Sequence, residues 1–267
     1  MDKVMISVAP VASTDKHIVP VDIADDVVRC WQAGAAMVHL HVRDAEGNLT
    51  TDMSLLEETL RLIRKESDVI IEVSTGGVSN LTIQERCVPL YSDLVEACSL
   101  NVGSTNLGKA VYCNPVDDVE YCIRELIKMK KTPEVEVFEI GHIYAMREFM
   151  EQYDFYDPVL FSIVLGHKGE APATPQALAA MIQMIPPGTL WGITHANRRD
   201  FSIIAAALGM GARTVRIGFE DSNYLDPNTV AVSNVPLVEK TVRLLRAMDK
   251  EPMSPAEARQ HFNILSR

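Results

Sequence analysis

Short apolar runs recur along this chain, most of them followed by a loop and then by a stretch with helical spacing, and this alternation restricts the fold more than any other feature. The runs fall at 4–9, 36–42, 69–73, 94–100, 134–138, 159–165, 190–194 and 214–217. Helical stretches fall at 20–33, 54–65, 115–130, 175–185, 199–208 and 230–248, with Ile23, Val27, Val28 and Trp31 sharing one face of the first and Ser54 placed to cap the second. Strands alternating with helices make right-handed βαβ units and a parallel sheet. Eight such units in 267 residues favour a closed (β/α)8 TIM barrel over an open doubly wound sheet. The first strand is not followed by Gly-x-Gly-x-x-Gly, which counts against a dinucleotide-binding fold.

The rest of the chain fits one α/β domain over 1–267. No linker, low-complexity tract or charge block divides it, and residues 252–267 form a short helical extension with its helix at 255–262. A hydrophobic content of 47% supplies a sizeable core. Charge is 25 Lys+Arg against 36 Asp+Glu, a formal −11, which argues against a nucleic-acid or anionic-membrane surface. Five cysteines without a Cys-x-x-Cys pair argue against a disulfide framework and for a reducing cytoplasm. The N-terminus runs into a strand without a signal-peptide pattern, and no apolar run reaches the length of a membrane span.

In such a barrel, functional side chains gather at the C-terminal ends of the strands and in the loops that follow. Strand 2 ends in His39-Leu40-His41-Val42-Arg43-Asp44, and alternation along a strand turns His39 and His41 to the same side. Such a pair serves equally as two hydrogen-bonded core histidines or as metal ligands. Glu220, after strand 8, is the natural third ligand, because strand 8 neighbours strand 1 and so lies close to strand 2. Two His and one carboxylate with an open position make a catalytic rather than a structural site; zinc suits it best, and iron or manganese fit the same donors. Arg216 at the end of strand 8 needs an anionic partner, either Asp221 as an ordinary ion pair or a substrate carboxylate. Ser74-Thr75-Gly76-Gly77 after strand 3 offers hydroxyls and backbone N–H groups to an oxyanion, or serves only as a tight turn. Strand 4 adds Ser99, Asn101, Ser104 and Asn106, and strand 7 adds Thr194, His195, Asn197 and Arg198.

Taken together, Val38-His39-Leu40-His41-Val42-Arg43, Val73-Ser74-Thr75-Gly76-Gly77, Leu100-Asn101-Val102-Gly103, Pro133-Glu134-Val135-Glu136-Val137 and Arg216-Ile217-Gly218-Phe219-Glu220-Asp221 resemble the β-keto acid cleavage enzymes over nearly the whole chain. The resemblance implies a zinc-dependent barrel and a homo-oligomer, with a tetramer suggested. It further implies conversion of a β-keto acid plus acetyl-CoA into acetoacetate and an acyl-CoA by enolate formation and retro-Claisen cleavage. Carried over by position, His39, His41 and Glu220 match the ligands of one Zn2+ per chain. Ser74, Gly77 and Ser99 match substrate contacts, with Ser99 standing where the amine-specific members have Thr. Arg216 and Asp221 match the catalytic pair; arginine is too basic to act as a base, so its role is that of a cation held by Asp221.

One position departs from the amine-specific members, which carry a glutamate after the first strand that reads the substrate ammonium. Alignment of Ala9-Pro10-Val11-Ala12-Ser13 places Ser13 there, and a hydroxyl supplies no charge. Two other functions remain to be weighed. A zinc hydrolase of the amidohydrolase type also uses His-x-His, though after the first strand, with further His and an Asp from later strands. A non-catalytic ligand-binding barrel does not account for so dense a polar rim.

Overall fold

A computed structural model describes residues 2–155 and 158–266. Eight strands run parallel: β1 (Asp2–Val8), β2 (Met37–Leu40), β3 (Ile70–Ser74), β4 (Ala97–Asn101), β5 (Thr132–Val137), β6 (Leu160–Leu165), β7 (Leu190–His195) and β8 (Thr214–Ile217). Each pairs with the next, and β8 returns to β1 with Ser7 opposite Arg216, so the sheet closes into the (β/α)8 barrel that the alternation predicts. Around it lie α1 (Pro20–Ala33), α2 (Ser54–Glu66), the one-turn α3 (Ile83–Arg86), α4 (Val116–Lys128), α5 (Ile140–Gln152), α6 (Pro175–Met184), α7 (Ser202–Gly209) and α8 (Val235–Ala247).

Because successive side chains in a strand face opposite ways, the barrel has two interiors. Outward residues such as Val4, Ile6, Val38, Ile71, Cys98, Val135, Phe161, Ile193 and Val215 join the helices in the main apolar core. Inward residues form layers. The floor is apolar: Met5, Met37, Ile70 and Leu160 pack against Met253, Ala258, Phe262 and Ile264 from the C-terminal end. Above the floor the buried side chains change character to Ser7, His39, Glu72, Ser99, Glu134, Ser162, Thr194 and Arg216. The inward-facing layer thus turns polar toward the upper half, where the strand ends open.

The C-terminal extension is the stopper of this barrel. A strand segment, Lys250–Pro252, pairs in parallel with the lower part of β1 and leads into α9 (Pro255–His261), which a capping box of Ser254 and Glu257 starts. Arg259 on α9 then grips the buried Glu96 at 2.7 and 3.0 Å, and Arg64 on α2 adds a third contact at 3.1 Å. The plug is therefore both apolar and charge-clamped.

Several boundaries differ from the sequence expectation, each for a local reason. β2 stops at Leu40 rather than at residue 42, because the chain turns and Arg43 pairs antiparallel with Leu49. β4 begins at Ala97 rather than 94, after a turn in which the Val95 N–H reaches the Ser92 carbonyl. Ser54 lies inside α2 rather than capping it, and the Asp52 carboxylate accepts the Ser54 N–H instead. α7 begins at Ser202, whose N–H Asp200 accepts at 2.8 Å. α8 starts at Val235 rather than 230, since Thr229–Val230 pairs with Tyr224–Asp226 in a hairpin. A second hairpin, Thr105–Leu107 with Ala110–Tyr112, and α5 lie where the sequence spacing singles out no element. No helix among the described residues is long and apolar enough to cross a membrane.

The floor generates a stability prediction. Phe262 is fully buried at the plug, and Phe262→Ala is expected to lower unfolding free energy by about 3–5 kcal/mol in a denaturant titration. A loss under about 1 kcal/mol would show that the plug contributes little to the barrel.

Candidate active site

His39 lies within β2 and His41 one residue past its end, so the pair straddles the strand terminus rather than sharing the strand. The rings stand edge to face with centroids 5.2 Å apart. Both Nε2 atoms turn to one oxygen of Glu220, at 3.8 Å from His39 and 3.3 Å from His41. One ligand atom from each of the three residues lies within 4.8 Å of the others. Burial alone would raise the Glu220 carboxyl, but His41, His39 and Arg216 reverse this and hold it well below its usual range. Burial also lowers His41, against the pull of Glu220. An ionised carboxylate and converging imidazole nitrogens form the donor set that a divalent metal takes.

The segment carrying Glu220 is fixed from several sides. Gly218 has φ +137°, and a Cβ there would lie 2.2 Å from the Ala9 carbonyl, so only glycine fits. The Glu220 N–H donates to that same carbonyl at 3.2 Å, and the Asn197 N–H donates to the Asp221 carbonyl at 2.8 Å. Asn234 accepts the Phe219 N–H at 2.9 Å while its amide donates to the Pro10 carbonyl and to Asp26. Arg198, fully buried, donates to the carbonyls of Ser222 and Tyr224. It supports the loop from behind and does not line the cavity.

Arg216 stands beside Glu220 in a ring of carboxylates. Nε and Nη2 donate to the two oxygens of Asp221 at 3.1 and 2.9 Å, a bidentate pair, and Nη1 donates to Glu136 at 2.5 Å. Asn101 donates to the other Glu136 oxygen at 3.1 Å. Burial by itself would lower the Arg216 pKa, yet Asp221, Glu136 and Glu220 more than reverse it, and the guanidinium stays charged. Asp221 is thus a true partner of Arg216, and both also face the cavity.

The Ser74–Gly77 turn forms the opposite wall. Ser74 Oγ accepts the Gly76 N–H at 3.1 Å. A Cβ on Gly76 would collide with the Tyr112 hydroxyl, and Gly77 has φ +130° against Leu49. Arg86 ties this turn to the Thr105–Tyr112 hairpin by donating to the Thr75 carbonyl at 2.9 Å and to the Tyr112 hydroxyl at 3.1 Å. Ser99 does not reach the cavity. It is fully buried beneath Ser74, hydroxyl to hydroxyl at 3.4 Å, so any influence on a ligand passes through Ser74. Ser13 is exposed at the mouth and lines the same cavity, which encloses about 790 Å³, a volume suited to a metabolite.

The cavity has further lining residues to which the sequence assigns no role: Glu136, Tyr112, Phe138 and His167. Glu136 had a signal, since an acidic residue inside an otherwise apolar parallel strand must find a cation. Tyr112 had none, because its strand is a hairpin that only the loop structure defines. Of the other rim residues, Asp44 is spent on capping a turn by accepting the Asn48 N–H at 2.8 Å, and Arg43 holds the Gly47 carbonyl at 2.7 Å.

Comparison with known proteins agrees with this geometry. The profile described as beta-keto acid cleavage enzyme matches residues 3–264. The chain is 36% identical over 246 residues to 3-keto-5-aminohexanoate cleavage enzyme of Fusobacterium nucleatum subsp. nucleatum, covering 91% of this chain and 89% of that one. It is 30% identical over 261 residues to 3-oxoadipate:acetyl-CoA acetyltransferase of Cupriavidus necator, covering 94% and 90%. Among solved structures it superposes on apo ObcA with a TM-score of 0.74 at 18% identity, covering 92% of this chain and 65% of that one, a likeness of fold alone.

The metal site is open to a direct test. Zinc titration calorimetry on metal-stripped protein is expected to show one ion per chain, and Glu220→Ala is expected to abolish saturable binding while the barrel stays folded by circular dichroism. Undiminished binding in that variant would move the site elsewhere.

Proposed function

The chain belongs to the beta-keto acid cleavage enzyme family, and from that membership and the barrel mouth we propose that it converts a β-keto acid and acetyl-CoA into acetoacetate and a new acyl-CoA. The carrying observation is that His39, His41 and Glu220 open onto the same cavity as the Arg216–Asp221 pair. In the exchange, the bond between the keto carbon and its methylene breaks, and that methylene joins the acetyl carbonyl carbon. The CoA thiolate leaves the acetyl group and takes up the acyl fragment, so no oxidant or reductant enters.

A divalent ion held by His39, His41 and Glu220, zinc by preference, would supply a Lewis acid to the keto and carboxylate oxygens of the substrate. The protein's own groups do the rest. Arg216 stays cationic and presents fixed positive charge where negative charge develops on the substrate. Asp221 orients it through two hydrogen bonds and, with Glu136, offers carboxylate oxygens for the proton that leaves the methylene. Ser74 contributes a hydroxyl, Gly77 leaves space for the substrate, and Ser99 backs Ser74 from below. Family membership displaces the hydrolase and the non-catalytic barrel. All five cysteines are free thiols, which supports a cytoplasmic setting, and a homo-oligomer, tetrameric by family resemblance, completes the proposal.

The mouth sets the substrate class. The Fusobacterium relative is named for an amino keto acid and the Cupriavidus relative for 3-oxoadipate, whose far end is a second carboxylate. Here Ser13, Leu49, Val78, Leu107 and Ala110 surround the outer cavity without an acidic group, and Lys168 lies among them. A distal ammonium would find no counter-charge there, so the preferred keto acid carries a neutral or anionic far end.

Two measurements test this. In a screen of β-keto acids with acetyl-CoA that reads out acetoacetate, neutral or anionic substrates should exceed 3-keto-5-aminohexanoate in kcat/KM; an amine preference would defeat the role given to Ser13. Asp221→Asn should keep fold and metal while lowering kcat by about two orders of magnitude or more, the range of positioned acid–base groups. Combined with a substitution at Arg216, it should be hardly slower than the worse single variant. Near-wild-type turnover with a fallen Tm would return the pair to a structural role.

A further inference from the structure

The site described above uses only one of the two ring nitrogens of His39. Nε2 faces Glu220, while Nδ1 points into the barrel, where a carboxylate oxygen of Glu72 lies 3.4 Å away. The two residues stand opposite each other in the β2–β3 register, so the sheet itself holds them together. Both are fully buried, at 1% and 0% exposure. Neither His39 Nδ1 nor either Glu72 oxygen has another hydrogen-bond partner among the described nitrogen donors, hydroxyls and carbonyls. Buried polar groups left unsatisfied are destabilising, so the pairing available to each is the one with the other. A small rotation of the imidazole brings the contact into ordinary hydrogen-bond range.

The far side of Glu72 is also accounted for. Glu134, on β5, hydrogen-bonds to the Glu72 carboxyl. Burial first, and then the charge of Glu72, hold Glu134 well above the ordinary carboxylate range.

We propose that Glu72 is a positioning residue for the metal centre: it accepts the Nδ1–H of His39, fixes that tautomer, and thereby turns the Nε2 lone pair toward His41 and Glu220. Glu72 itself touches neither metal nor substrate. A ligand histidine whose second nitrogen donates to a carboxylate is fixed in orientation and made a better donor, and loss of such a partner weakens metal affinity about 10–100-fold. This inference rests on His39, His41 and Glu220 being a metal centre and adds the residue beneath it.

The experiment measures zinc rather than turnover. Metal-stripped wild type, Glu72→Leu and Glu72→Gln are titrated with Zn2+, and the His39 ring nitrogens of the zinc-loaded wild type are assigned by 15N NMR. Glu72→Leu should bind zinc about 10–100-fold more weakly, whereas Glu72→Gln, which keeps an acceptor oxygen, should stay within about tenfold of wild type. The NMR spectrum should show His39 protonated at Nδ1 and ligated through Nε2. Equal zinc affinity in wild type and Glu72→Leu, or ligation through Nδ1, would overturn the inference while leaving the metal centre in place. No saturable binding in the wild type would overturn both. Should Glu72→Leu fail to fold, the wild-type tautomer and the Glu72→Gln affinity still decide the matter.

Discussion

A guanidinium buried among carboxylates is the interaction on which the upper half of this barrel depends. Arg216 binds Asp221 through two nitrogens and Glu136 through a third, and it lies 3.6 Å from Glu220. Carboxylates removed from water protonate unless a cation compensates them. Burial would raise Glu220, but His41 and His39, with Arg216 after them, hold it well below the usual carboxylate range. One layer deeper, burial is the leading cause that pushes Glu72 up to about 8 and raises Glu134 well above the usual carboxylate range. The interior is thus divided into a charge-paired layer around Arg216, facing the cavity, and a layer of buried carboxyls beneath it.

The architecture keeps that division in place. An apolar floor, sealed by Phe262 and clamped through Glu96 and Arg259, closes the lower end. Strands present His39, Glu136 and Arg216 from rigid ladders, and Glu220, on a loop, is immobilised by Gly218, Ala9, Asn197 and Asn234. Preorganised charges of this kind need no rearrangement when charge develops on a substrate, which makes a static barrel mouth useful for carbon–carbon chemistry.

The groups proposed for the reaction and those proposed for specificity sit on different parts of the fold. Groups proposed for the chemistry come from strand ends, while Ser13, Leu49, Val78, Leu107 and Ala110 come from loops and a hairpin at the mouth. Loops accept substitution without disturbing the barrel, so a family can exchange the far end of its substrate while retaining the exchange reaction. The differing substrates in the names of the two relatives fit that separation.

The sequence by itself determined the barrel, because eight strand–helix alternations leave few other ways to bury so many apolar runs. It also determined which residues share a rim: in a closed barrel every strand end meets the same mouth, so His39, His41, Arg216, Glu220 and Asp221 could be grouped without coordinates. What it could not decide was the inside of the barrel. Outward and inward faces are both buried, so apolar periodicity does not tell a residue packed on a helix from one facing the axis. The axis is where Arg216 meets Glu136, 80 residues away in sequence, where Glu72 meets His39 and Glu134, and where Ser99 drops below the cavity. Those pairings follow from shear and register across the closed sheet. Register is a property of the assembled strands rather than of any one of them, and so only the tertiary structure could settle it.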